Sequence, residues 1–226
     1  RKSWGKTLAK ERERILLKAA GYVEANKEKY LPVLIDESGS SITKMSAEID
    51  SCVDILRTAA GECCRVAGGV IQGEYPNHLS YYTRNPLGVV VGIAPFNYPL
   101  FLAMDKAAFA LAMGNTFILK PSSHTPVSGL VIAECMEQAG LPKGVLSVLP
   151  GPGQVVGDIL AADSRVRMVA LTGSSALGRK IAQQAASSLK RYSLELGGKN
   201  PMLVLKDFDP EKAAELASFG GYFHQG

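Results

Sequence analysis

The chain has 226 residues, enough for one large domain or two small ones around a substantial core. Its hydrophobic share of 46% suits a globular protein, and its formal net charge of +4 is spread along the chain, with no basic run interleaved with aromatics, which argues against nucleic acid as a partner. No apolar run reaches the length of a membrane-spanning helix and no secretory pattern precedes the first helix, so a cytoplasmic protein with no membrane partner is expected.

From Trp4 to about Gly69 the pattern is helical. Ile15, Leu16, Ala19, Ala20 and Val23 share one face opposite Lys and Glu, Thr7 with Lys10 and Glu11 marks a helix start, and 38–41 reads as a turn. Ile42 to Ala67 resumes the helix, with Ile49, Cys52, Val53 and Leu56 in spacing. The four cysteines (Cys52, Cys63, Cys64 and Cys135) show neither CxxC pairing nor Cys/His spacing. No metal site is expected, and reduced thiols filling helical core are. Gly73 to Ser80 breaks the helix, His78 is a solvated loop residue, and Tyr81 to Pro86 reads as a strand of a ribbon that needs a partner surface.

From Leu87 the pattern changes. Apolar strands over 87–94, 115–119, 145–149, 166–171, 192–196 and 202–205 alternate with helices over 99–113, 127–139, 154–162 and 175–188, and Pro210 begins a last helix. Such alternation predicts an α/β fold, a doubly wound parallel sheet covered on both faces. The expected organisation is a helical part over 1–69, a ribbon over 70–86 and a Rossmann-like domain over 87–226. Ligands on such sheets bind beyond the carboxyl ends of the strands, so the loops at 95–98, 120–126, 150–153, 172–175 and 197–200 are the candidate site.

Each loop carries some chemistry. Pro95 and Pro99 clamp Asn97 at the end of the first buried strand, which makes its amide a candidate oxyanion donor or an ordinary Asn-Pro turn. Lys120 ends the next strand, placed to donate to hydroxyls or phosphate, or simply to snorkel. Gly153 and Gly157 make a close-approach turn. Thr172-Gly173-Ser174 opens a helix that reaches Gly178, and it suits a phosphate as well as it suits a plain serine cap. In Tyr192-Ser193-Leu194-Glu195-Leu196-Gly197-Gly198-Lys199, Glu195 sits among apolar strand neighbours just before paired glycines. That is the setting of a general base, and also of a strand-end glutamate at a turn.

Together and in this order, Pro95-Phe96-Asn97-Tyr98-Pro99, Lys120-Pro121-Ser122-Ser123 with Thr125-Pro126, Leu171-Thr172-Gly173-Ser174 with Gly178, and Leu194-Glu195-Leu196-Gly197-Gly198-Lys199 resemble the aldehyde dehydrogenase superfamily. The resemblance covers essentially the whole chain. It implies oxidation of a small-molecule aldehyde to a carboxylic acid with NAD or NADP. A cysteine thiolate adds to the aldehyde, hydride passes to nicotinamide, and a glutamate-activated water hydrolyses the thioester. By that resemblance Glu195 is the general base, Asn97 the oxyanion donor and Lys106 the active-site lysine. Lys120 is the ribose contact and Ser174 the pyrophosphate contact framed by Gly173 and Gly178, while Ile93, Phe96 and Leu196 form wall or backbone near the cofactor. Ser123 stands where NAD-strict relatives often carry an acid, so NADP is permitted. A glutamate at 195 favours hydrolysis over transfer to coenzyme A.

The resemblance also implies a departure. The family's nucleophilic cysteine lies a few residues past a motif like Phe223-His224-Gln225-Gly226, and none of the four cysteines has a matching context. With Arg1 in place of an initiator Met, the sequence reads as a piece of something longer, supplying the cofactor site without the nucleophile or the catalytic domain. The alternatives are an inactive dinucleotide-binding module and a doubly wound domain for another nucleotide. The 73–86 ribbon resembles the family's assembly arm, which implies a homo-oligomer, dimer or tetramer.

Overall fold

A computed structural model describes residues 4–224. The Arg1 start and the Gln225-Gly226 end lie outside the described residues. After a 3-10 turn at Trp4–Lys6, the first layer comprises α1 (Ala9–Ala25), α2 (Lys27–Ser38) and α3 (Ile42–Arg65). The first helical stretch is split at Asn26, which leaves helical geometry at φ −111° and ψ 15° and turns its side-chain amide back onto the Tyr22 carbonyl at 2.8 Å. Gly39 closes α2 in the left-handed region at φ 66°, within the expected turn, and the Ser41 hydroxyl caps α3 by accepting from the Lys44 amide. The apolar stripes of α1 and α3 meet in one buried cluster.

The ribbon pairs β1 (Gly69–Gln72) antiparallel with β2 (Leu79–Tyr82). The sequence pattern places a ribbon over 70–86 but assigns no strand to its first arm, and it puts the second over Tyr81–Pro86. In the structure Val66 is already extended, and β2 ends before Arg84. A ribbon needs two arms with free amides, and Pro86 has none to give.

The remaining elements are β3 (Val89–Ile93), α4 (Phe101–Ala112), β4 (Thr116–Lys120), α5 (Pro126–Gln138), β5 (Leu146–Val148), a π-helical turn (Gly153–Gly157) leading into α6 (Asp158–Ala162), β6 (Val166–Thr172), α7 (Ser175–Ala186), β7 (Arg191–Glu195) and α8 (Pro210–Tyr222). The strands form one parallel sheet in the order β5-β4-β3-β6-β7. Strand alternation splits the core between the two faces. Val90, Phe117 and Leu119 pack with α4, α5 and the α1–α3 layer, whereas Val91, Ile93, Val169 and Leu171 pack with Ala161 of α6 and Ile181 of α7. The sheet is therefore doubly wound. Its order reverses between β3 and β6, and the register aligns Ile93 with Lys120 and Leu171, and Thr172 with Glu195.

Two sequence expectations fail at the far edge. Met202–Leu205 has strand composition but no ladder partner, and it is exposed. A segment of strand composition becomes a strand only when an edge pairs with it, and among the described residues no ladder joins Met202–Leu205 to the open edge of β7. For the same reason β7 is an edge strand with mostly exposed side chains rather than a buried one, and Glu195 is exposed. Among the described residues α8 buries no side chain, and no helix is long and apolar enough to cross a membrane.

Candidate functional site

The strand order reverses above β3 and β6, and there an open crevice of about 490 Å³ is lined by loops from five elements. Ile93, Phe96, Asn97, Lys120, Ser123, Gly153, Gly173, Ser174 and Leu196 all reach it. Ser122, His124, Thr172, Leu177 and Gly197 also line it; the sequence offers His124 beside a ribose 2′-phosphate and the Gly197-Gly198 pair as a close approach, and gives Ser122, Thr172 and Leu177 no separate role. The Phe96 and His124 rings meet edge-on across the rim at 6.0 Å. Gly157, Gly178, Lys106 and Glu195 lie outside the lining.

One helix start at the rim is open and the other is closed. At α5, the Glu37 carboxylate of α2 accepts from the Val127 and Ser128 amides and from the Ser128 hydroxyl, so those donors are taken. At α7, the Ser174 hydroxyl accepts from Leu177 N–H at 3.2 Å, and Gly178 N–H bonds the Ser174 carbonyl. Helix geometry leaves the Ser175 and Ala176 amides without an intrahelical acceptor, at the positive end of the helix. Of these two starts, α7 is the one open to an anion.

The glycines separate into two kinds. A Cβ on Gly178 would stand 2.5 Å from Leu196 Cδ2, so Gly178 is small in order to seat Leu196 in the crevice wall. A Cβ on Gly153 or Gly197 would meet nothing within 4 Å, so protein packing does not require glycine at either lining position. Their bare backbone fits the close approach of a ligand. Gly157 is buried behind the wall, its Cβ direction 4.0 Å from Ile93 Cδ1.

Lys120 is buried at the end of β4, and burial holds its ammonium below the usual lysine range. Its Nζ donates to the Pro121 carbonyl at 2.7 Å and to Ser123 Oγ at 3.4 Å, and one of its three donors remains for a ligand. Ser123 in turn donates to the Gly151 carbonyl at 2.9 Å. A donor for hydroxyls, a neutral neighbour, an open helix start and bare glycine backbone together fit a ligand carrying ribose and phosphate.

Beyond the crevice floor, Lys106 Nζ donates to Thr172 Oγ1 at 2.6 Å and to the Leu102 carbonyl at 3.2 Å. Burial lowers its pKa, and the neighbouring Asp105 and Glu195 carboxylates oppose that shift. Thr172 faces the crevice on its other side, and it stands opposite Glu195 in the ladder. The Glu195 carbonyl accepts from Gly173 N–H at 2.9 Å, which fixes the strand end carrying the carboxylate. The contribution of Thr172 was readable from its place at the strand end, beside the singled-out Gly173-Ser174.

Asn97 is exposed into the crevice, and its backbone is held from below. Its carbonyl accepts from Lys44 Nζ at 2.7 Å, and the Leu100 and Phe101 amides at the start of α4 donate to Glu48 Oε1 at 2.8 and 2.9 Å. Lys44 and Glu48 are 0% and 1% exposed and pair with each other on α3. The signal for them was in the sequence. Lys44, Glu48, Cys52 and Leu56 fall four apart, so the two charges extend the apolar stripe.

The cysteines divide. Cys52, Cys63 and Cys135 are core residues, and burial lifts the thiols of Cys63 and Cys135 to about 11 and that of Cys52 well above its usual value. Cys64 departs from the expected core role. It is exposed on α3, 3.8 Å from the Glu13 carboxylate. At the other end of the described chain, Ser41 Oγ donates to the Phe223 carbonyl at 3.4 Å, and the His224 ring meets the Tyr98 ring edge-on at 4.9 Å. Residues 223 and 224 thus lie beside the Asn97 loop.

A family model described as the aldehyde dehydrogenase family matches residues 1–226. Vanillin dehydrogenase of an Amycolatopsis species is 42% identical over 226 residues, covering 100% of this chain and 46% of its own. A solved structure of an NADP-dependent enzyme from E. coli superposes with a TM-score of 0.97 at 34% identity, over 100% of this chain and 47% of that one. A betaine aldehyde dehydrogenase from Staphylococcus aureus, solved with NAD+, gives a TM-score of 0.95 at 33% identity, over 98% and 45%. The chain spans about half the length of the curated relatives it matches.

Proposed function

The chain belongs to the aldehyde dehydrogenase family, and on that footing we propose that it forms the dinucleotide-binding half of an NAD- or NADP-dependent enzyme that oxidises an aldehyde to a free carboxylic acid. The observation that carries this reading is one crevice at the β3/β6 reversal where the Asn97 loop, buried Lys120, the open α7 start and the β7 end bearing Glu195 converge. The bound dinucleotide supplies the hydride acceptor. Lys120 holds a ribose hydroxyl, Ser174 and the first amides of α7 hold the pyrophosphate, and the bare backbone of Gly153 lets the ligand approach. Ile93, Phe96 and Leu196 wall the crevice, Gly157 and Gly178 support that wall, and Gly173 frames the turn.

For the chemistry, the Asn97 amide donates to the oxygen that gains charge when a thiolate adds to the aldehyde carbonyl. Glu195, exposed and with its carboxylate acting on the Lys106 ammonium, takes a proton from the water that displaces the thiolate from the acyl carbon. None of the four cysteines suits the nucleophile. Three are buried with raised thiols, and Cys64 lies on α3 beside Glu13 rather than on the crevice. We assign the nucleophile to a part of the enzyme outside this chain. The place of Phe223 and His224 beside the Asn97 loop supports that assignment. With β2 exposed along its length and β1 exposed from Val70 onward, the ribbon is the proposed assembly surface of a homo-oligomer. Cytoplasmic residence belongs to the same reading.

Turnover of the whole enzyme in oxygen-18 water tests it. The reading predicts one labelled oxygen in the acid product. A thioester of coenzyme A as product, or acid free of the label, contradicts it.

A further inference from the structure

We propose that Lys44 and Glu48, a buried ion pair on α3, are positioning residues that set the place of the Asn97 amide in the oxyanion site. This rests on the reading of Asn97 as oxyanion donor.

The Asn97 loop cannot fix itself. Pro95 and Pro99 remove two of its amides, and no side chain within the loop caps α4. The missing bonds come from α3. Lys44 spends its three donors on Ser40 Oγ at 3.2 Å, on Glu48 Oε2 and on the Asn97 carbonyl at 2.7 Å. Glu48 answers with its other oxygen, which accepts from both Leu100 and Phe101 amides. The Tyr98 ring covers the ammonium at 4.2 Å. Loop and helix start are thus attached to one closed network, at the carbonyl of Asn97 itself and at the two amides that follow Pro99.

Stability alone does not account for the pair. A buried ion pair can often be replaced by apolar groups of similar volume without loss, because desolvation offsets the attraction. What an apolar pair could not do is bond the Asn97 carbonyl and the α4 amides at fixed points. An oxyanion donor has to be held to about 0.5 Å, and a displacement of about 1 Å can cost on the order of a hundredfold in rate.

The test uses the whole enzyme with Lys44→Met/Glu48→Gln. That change leaves no lone buried charge and keeps an acceptor for the α4 amides while deleting the bond to Asn97. It is measured alone and combined with Asn97→Ala. The expected result is a kcat about ten- to a hundredfold lower, an NAD dissociation constant within about twofold of the parent, faster hydrogen exchange across residues 95–101, and no further loss of kcat in the Asn97→Ala background. An unchanged kcat, or the same loss on top of Asn97→Ala, overturns the proposal and leaves the oxyanion reading standing. If Asn97→Ala alone lowers kcat by less than about threefold, the oxyanion reading falls and the proposal falls with it. If the double variant does not fold, Lys44→Met/Glu48→Leu decides, an apolar pair that removes both charges together with both attachments. A several-fold lower kcat that vanishes in the Asn97→Ala background supports the positioning role, and a full kcat contradicts it.

Discussion

Gly178→Ala separates the stability of this fold from its ligand binding. The added Cβ would stand 2.5 Å from Leu196 Cδ2, 2.8 Å from Cδ1 and 3.3 Å from Cγ. Carbon atoms prefer about 3.5–4.0 Å, so the side chain must retreat by about 1 Å. Leu196 is 40% exposed and lines the crevice, so its free direction of retreat is into the space a ligand needs. Overpacking of this kind costs about 1–3 kcal/mol, and replacing glycine by alanine within a helix returns up to about 1 kcal/mol. The net loss of stability is therefore about 0–2 kcal/mol, small enough to leave the protein folded. Binding should suffer more visibly, with the NAD dissociation constant rising about tenfold, or ~1.4 kcal/mol. Urea denaturation gives the first quantity and calorimetric titration with NAD the second. Leu196→Ala removes the clashing methyls, so Gly178→Ala in that background should change affinity by less than about twofold. If Gly178→Ala alone leaves NAD affinity intact in a folded protein, Leu196 is not a wall of the cofactor site.

Three further outcomes are expected. Ser123→Glu places a carboxylate beside Lys120 and should weaken NADP at least about tenfold through like-charge repulsion while leaving NAD nearly unchanged; equal effects on both would remove Ser123 from the ribose end. Asn97→Ala in the whole enzyme should lower kcat by roughly 10²–10³, the scale of one oxyanion donor, and a loss below about threefold would make Asn97 a turn residue only. Glu195→Gln should slow release of the acid more than the first burst of reduced cofactor, because it removes the base for the second half-reaction; unchanged deacylation would sink that role.

Much of this architecture could be read before the structure, because the signals were local or periodic. The apolar strands from Leu87 onward, the helices between them and the loops at their carboxyl ends follow from patterning, which is why nine of the named residues line the crevice. The failures have a common cause. Whether Met202–Leu205 pairs, or β7 is buried, depends on a neighbouring strand edge, and local composition carries no record of that edge. The ribbon is expected over 70–86, yet its first arm carries no strand assignment because Gly69–Gln72 is only four residues long and follows a helix directly. Lys44 and Glu48 were legible only as an exception, since charges on an apolar stripe are easily taken for its boundary. Gly178 belongs to the phosphate-frame motif in the sequence; the structure adds that its small size seats Leu196, a contact between helix and loop that the linear motif does not express.

The central claim is that the crevice at the β3/β6 reversal takes a dinucleotide. Calorimetric titration of the folded chain with NAD and with NADP tests it most directly. The account predicts saturable binding of at least one of them at a single site per chain, weakened by Gly178→Ala. A folded sample that shows no saturable binding of either would contradict it.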